Sequence, residues 1–206
     1  MKNSLLLILA VIPLLLLLSA CESGAKLRVI NLCSYPAYVK VEDGAQVTVP
    51  AGSTQEFKVE TRTKTPFSGE VKKDLKVWLI GETYSIFNPD TNQYTDSTTV
   101  TLTAGETLEA YLNPNRACIR VTNSSSKVIT DATIWQTSLN GVSVLQMGNM
   151  EDLAPGESRF LRVPFGLTFY YRVGIQDEDG GSFLYGDVNT ILNKDHQYHV
   201  VHTDPE

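Results

Sequence analysis

Only three cysteines occur in 206 residues, so no disulfide framework can hold this chain in place of a core. Basic residues are outnumbered, 17 Lys and Arg against 23 Asp and Glu, giving a net charge of −6 and no electrostatic footprint for nucleic acid. No G-x-S-x-G, H-E-x-x-H or phosphate-binding glycine loop is present, and no cysteine has a histidine beside it, so the sequence offers no catalytic residues and no cofactor. The apolar run Leu5 to Leu18 is too short to cross a bilayer comfortably. After it, no window of eleven or more residues carries a helical stripe.

What is present at the N-terminus reads as an address. Lys2 precedes the apolar run, and small residues Ser19 and Ala20 follow it, as in a secretory signal. The tetrad Leu18-Ser19-Ala20-Cys21 resembles the bacterial lipoprotein box. That resemblance implies cleavage after residue 20 and acyl chains, palmitate among them, on Cys21; several chains together give stable anchoring. Glu22 stands where an inner-membrane retention aspartate often sits, so the resemblance favours an outer membrane in a host with two membranes. The expected organisation is a signal peptide (1–20), a lipidated tether (21–26), and two domains (27–114 and 115–206).

The remainder alternates apolar and polar residues in short stretches between turn signals, which predicts an all-β fold of two tandem antiparallel β-sandwiches. Leu27-Arg28-Val29-Ile30-Asn31 is echoed by Ile119-Arg120-Val121-Thr122-Asn123, and Val49-Pro50-Ala51-Gly52-Ser53 by Leu153-Ala154-Pro155-Gly156-Glu157-Ser158. Leu75 to Ile80 and Thr168 to Ile175 read as long strands. Thr98 to Thr103 with Leu108 to Leu112, and Gly186 to Leu192 with Tyr198 to Val201, read as closing pairs. Asn140-Gly141 predicts a type I′ hairpin, and Asp179-Gly180-Gly181 a second hairpin. The pattern Thr122-Asn123, Leu153 to Phe160, Phe169 to Val173 and Asp179-Gly180 resembles Ig-like or transthyretin-like modules of exported bacterial surface proteins. That likeness implies a structural or interaction role; the first half lacks the D-G hairpin at that place and carries an extra loop.

Cys33 at the end of the first strand and Cys118 after the last strand of the first half would lie at one pole of a sandwich, so an exported chain could bond them. Such a bond would close a loop of roughly 85 residues and contribute about 4 kcal/mol. The alternative is two separate buried thiols. His196, His199 and His202 fall in a strand-like stretch, where alternation and a span of about 20 Å keep them from sharing a metal ion. Asp177-Glu178-Asp179-Gly180 and Asn88-Pro89-Asp90-Thr91-Asn92 begin like calcium loops without completing one. Residues 58–76 are locally basic, whereas Val77 to Asn115 holds no Lys or Arg and five acids. Within that acidic stretch Tyr84, Phe87 and Tyr94 sit among Asn, Asp and Thr, a mixture suited to a glycan or peptide contact or to a loop folded on its own core. The expected role is a non-catalytic, lipid-anchored envelope protein acting as scaffold, adhesin-like binder or assembly factor. Its partners would be the membrane and an envelope protein or glycan; the alternative is a glycan-binding module using the aromatic loop.

Overall fold

The computed structural model describes residues 24–62 and 70–205. The signal peptide, Cys21 and, in the basic stretch, Lys64 lie outside the described residues. The chain is all-β, with no helix among the described residues. Strands β1 (Ala25–Asn31), β4 (Thr54–Val59) and β9 (Thr107–Leu112) form one sheet in the order β4-β1-β9, with β9 parallel to β1. Against it stands a sheet of β2 (Ala37–Val41), β3 (Val47–Val49), β5 (Lys72–Gly81) and β8 (Ser97–Thr103), in the order β3-β2-β5-β8.

The second half repeats this plan. Strands β10 (Ala117–Asn123), β13 (Ser158–Val163) and β16 (Gln197–His202) form the sheet β13-β10-β16, again with first and last strands parallel. Strands β11 (Ile129–Ser138), β12 (Val144–Leu153), β14 (Phe169–Asp177) and β15 (Ser182–Tyr185) form the sheet β12-β11-β14-β15. Among the described residues every ladder joins strands of the same half, and each half has its own core.

Alternation decides which side chains enter the cores. In β1 Leu27 and Val29 are buried while Lys26 and Arg28 face out; in β10 Ile119 and Val121 are buried while Arg120 faces out. The repeated asparagines close the same corner twice. The Asn31 amide donates to the carbonyls of Tyr35 and Val49 at 2.9 and 3.0 Å, and Asn123 donates to those of Lys127 and Leu153 at 2.7 and 2.8 Å. Both side chains are fully buried, and these backbone carbonyls satisfy their amide hydrogens. Gly52 and Gly156, at φ +65° and +80°, make the turn that follows each latch.

Two expectations are corrected. The Asn140-Gly141 hairpin forms, but only Gly141 has positive φ, so the connection is a longer loop closed by Gly141 N–H to Ser138 rather than a type I′ turn. Gly186 to Leu192 is a loop. Gly186 stands at φ +82°, where a Cβ would lie 2.5 Å from the Tyr171 carbonyl oxygen, and the last strand of that sheet is β15 before it. The extra loop of the first half contains its own hairpin, β6 (Ile86–Asn88) with β7 (Gln93–Thr95).

Leu112, the last residue of β9, is fully buried; its counterpart ending β16 is His202, 2% exposed. Its ring lies 4.7 Å from that of Phe183, and its Nδ1 is 2.8 Å from the Tyr185 hydroxyl. Burial holds this imidazole below its usual pKa, against the pull of Asp177 and Asp204. The unfolded chain takes up a proton near pH 6.5 and the folded chain only lower, so this contribution to stability is present above about pH 6.5 and lost as pH falls. In urea titrations between pH 7 and pH 5, unfolding free energy should fall with pH, and His202→Asn should flatten that slope whatever its effect at pH 7.

Candidate functional site at the junction of the halves

The connection from β5 to β8 runs through residues 82–96, whereas the equivalent connection from β14 to β15 is the short turn Glu178–Gly181. This longer excursion and the outward face of the β13-β10-β16 sheet meet. Glu82 sits at the centre, 1% exposed. One carboxylate oxygen accepts from the Tyr38 hydroxyl at 3.0 Å and from the Arg120 guanidinium; the other accepts from the Gln197 amide. A carboxylate removed from water to this degree is tolerable only with such partners.

Around that centre the contacts are polar and directional. Arg162 grips Asp96 with two parallel bonds of 2.5 and 2.7 Å and donates to the Tyr84 carbonyl at 3.1 Å. Asp195, held at φ +62°, accepts from the Ser34 amide and hydroxyl and from the Thr83 hydroxyl. The Asn115 and Arg116 amides both donate to the Thr83 carbonyl at 3.0 Å. Tyr38 stacks on Phe160 with centroids 5.9 Å apart. Glu82 and Asp96 come from the stretch that has no Lys or Arg, and Arg120 and Arg162 come from the other half.

The repeat shows how this face was made to dock. In the first half the equivalent positions are Lys26, Arg28, Glu56, Lys58 and Glu109, and there Arg28 is neutralised within its own sheet by Glu109 at 2.9 Å and Glu56 at 3.5 Å. In the second half Cys118 replaces the lysine, Phe160 replaces Glu56 and His199 replaces Glu109. Arg120 is thereby left without an acid on its own sheet, and it turns to Glu82.

The aromatic loop is divided by the structure. Tyr84 packs against the first core, and burial pushes its phenol above the usual range. Phe87 and Tyr94 remain exposed, with ring centroids 5.3 Å apart, and the Arg116 guanidinium lies 4.5 Å from the Tyr94 ring centre. Tyr94, Asp96, Arg116, Phe160 and Arg162 line a shallow cleft of about 230 Å³ between the halves. Two of the three rings are thus exposed, and the third is packed on the core.

Cys33 and Cys118 are both free and buried. Cys33 belongs to the first core, its Sγ 3.4 Å from the Leu112 carbonyl oxygen. Cys118 faces out of its sheet and is covered at the junction, where Gln197 donates to its Sγ at 3.7 Å. One thiol thus enters a core, and the other enters the interface. Burial pushes Cys33 up to about 11 and Cys118 up to about 12, so neither is a ready thiolate.

The histidines are separated as alternation dictates. His199 bonds Thr122 on the outer face while His202 enters the core region. Asp177 caps its own turn by accepting from the Asp179 and Gly181 amides, and Asn88 does the same for Asp90. Among the described residues no three His, Cys, Asp or Glu side chains are gathered to hold a metal ion. In the basic stretch, Lys72 and Lys73 pair with Glu70 and Glu42.

No family model matches the chain, and no curated protein matches it. Among solved structures it is similar to the Bacillus anthracis TIE protein, with 11% identity over 89% of this chain and TM-score 0.29; the chain spans 34% of that protein. It is also similar to a candidate cell adhesion protein from Bacteroides ovatus, at 12% identity, 87% of this chain, 91% of that one and TM-score 0.33. A third is the major pilin of Streptococcus pyogenes, at 12% identity, 88% and 98% coverage and TM-score 0.25. Likenesses of this size carry no argument about function.

Removing one partner of a buried pair costs about 3 to 5 kcal/mol, because the other charge is left uncompensated. Scanning calorimetry of the wild type should show one cooperative transition. Glu82→Ala should lower stability by about 3 kcal/mol and separate the melting of the two halves, whereas Glu56→Ala on the solvated equivalent face should shift it by less than about 1 kcal/mol.

Proposed function

We propose that the chain is a lipid-anchored bacterial envelope protein, held through Cys21 and favouring an outer membrane. Its two β-sandwich domains, 27–114 and 115–206, act together as a non-catalytic scaffold, adhesin-like or assembly module. The observation that carries this reading is the commitment of Glu82, Asp96, Arg120, Arg162 and Asp195 to holding one half against the other. Each acid at the junction accepts from at least one donor of the opposite half, and the two thiols beside them are held protonated by burial. A surface so arranged fixes geometry; it does not move protons or attack a substrate. The Leu-Ser-Ala-Cys box supports the anchor.

A second reading is favoured by Phe87 and Tyr94, which remain exposed as a tilted pair, with Arg116 against the Tyr94 ring. In that reading the loop offers two aromatic faces to a glycan, and Tyr84 supports the loop from below.

The anchor is tested by labelling cells with a palmitate analogue and partitioning the protein in Triton X-114. Wild type should incorporate label and enter the detergent phase, and Cys21→Ala should do neither. An unlabelled wild type in the aqueous phase would refute the anchor.

A further inference from the structure

The outward faces of the two four-stranded sheets carry a feature that the junction does not use. Gly81 and Asp177 end β5 and β14 at equivalent places, each followed by a glutamate whose amide donates to the residue before β2 or β11. Counting back from these ends, Lys76 is the counterpart of Arg172, and Trp78 is the counterpart of Gly174. On β5 the Trp78 indole faces out, with Lys76 Nζ 4.8 Å and Lys40 Nζ 5.2 Å from its ring centre. On β14 the same spot holds a glycine, yet it is not bare. The benzo ring of Trp135, from the neighbouring β11, lies over Gly174 so closely that a Cβ there would be 2.5 Å from it. Arg172 stands opposite Trp135 in the ladder. Two different sequences thus place an indole and a cation at the same position of both sheets.

These cations have no acid to answer. Among the described residues Lys40, Lys76 and Arg172 form no ion pair, although the chain is acidic and Lys26, Arg28, Lys72, Lys73 and Lys127 all do. The Arg172 Nε is buried without a hydrogen-bond partner, its guanidinium 5.3 Å from the Tyr170 ring centre. Ser97 and Thr99 stand beside Trp78 and Lys76, and Thr133 and Gln176 beside Gly174; the nearest acids along these strands, Asp74 and Asp131, accept from the hydroxyls of Thr101 and Thr133.

We propose that these two faces bind a carboxylate-bearing polysaccharide, each indole taking the apolar face of a sugar ring while Lys40 and Lys76, or Arg172, take its carboxylate. An ammonium beside an indole, or a guanidinium across the ladder from one, suits an anionic group attached to a ring, and the Arg fork matches a carboxylate in two bonds. A site that recurs within one chain suits a ligand that also repeats, because the second contact is then made at high effective concentration. The inference rests on the interaction reading of the protein, but not on its anchor or on the Phe87 and Tyr94 loop.

The test is affinity electrophoresis of the full chain in non-ionic detergent, in native gels containing polygalacturonate, its methyl ester, or polyglutamate. Polygalacturonate alone should retard the wild type. Lys40→Gln with Lys76→Gln, which leaves the core untouched, should weaken retardation severalfold, as should Arg172→Gln. The three changes together should weaken it at least about tenfold through lost bivalency. Trp78→Leu should act like the lysine changes while Phe87→Ala with Tyr94→Ala leaves retardation intact. Absence of retardation, equal retardation by polyglutamate, or wild-type behaviour of the lysine and arginine variants would overturn the proposal. Loss only on changing Phe87 and Tyr94 would overturn it in favour of the aromatic loop.

Discussion

A carboxylate that is 1% exposed must be answered, and the way Glu82 is answered decides how the rest of the molecule is arranged. Its partners come from β2, β10 and β16, so the first half's sheet, the second half's opening strand and the chain's last strand all meet at one side chain. None of these strands could shift by a residue without turning its partner to the opposite face. The constraint extends outward: Arg162 on Asp96 and Asp195 on Ser34 and Thr83 fix the rotation that a single pair would leave free.

The duplication makes the economy of this junction visible. Arg28 and Arg120 occupy the same strand position, but one is closed by acids of its own sheet and the other is not. Replacing Glu56 by Phe160 at the facing position both removes the local acid and supplies a ring for Tyr38 to stack upon. Replacing Lys26 by Cys118 removes a charge that the covered interface could not hydrate. A covalent splint is unnecessary where a desolvated network does the same geometric task, and the two buried thiols remain separate.

Much of the fold is legible in the sequence because strand alternation and turn chemistry are local. Val29 and Val121, or Pro50-Ala51-Gly52 and Ala154-Pro155-Gly156, declare their positions without reference to anything distant. Gly186 misleads because the positive φ it adopts, and the close approach of the Tyr171 carbonyl that leaves no room for a Cβ, depend on a strand distant in sequence. Tyr84 could not be told from Phe87 and Tyr94, since which ring turns inward depends on how the loop folds back on the core. The junction is the least legible part. Its two acid–base pairs lie 38 and 66 residues apart, and the one local hint was a stretch of five acids without a base, followed by an outward-facing arginine.

The central claim is that the two halves form one body with a fixed mutual orientation. It is tested most directly by pulsed electron–electron resonance between spin labels at the exposed positions Thr101 in the first half and Gln176 in the second. The account predicts a single narrow distance distribution in the wild type that broadens when Glu82 and Asp96 are both changed to alanine. A broad distribution in the wild type, or one that those changes leave unaltered, would contradict it.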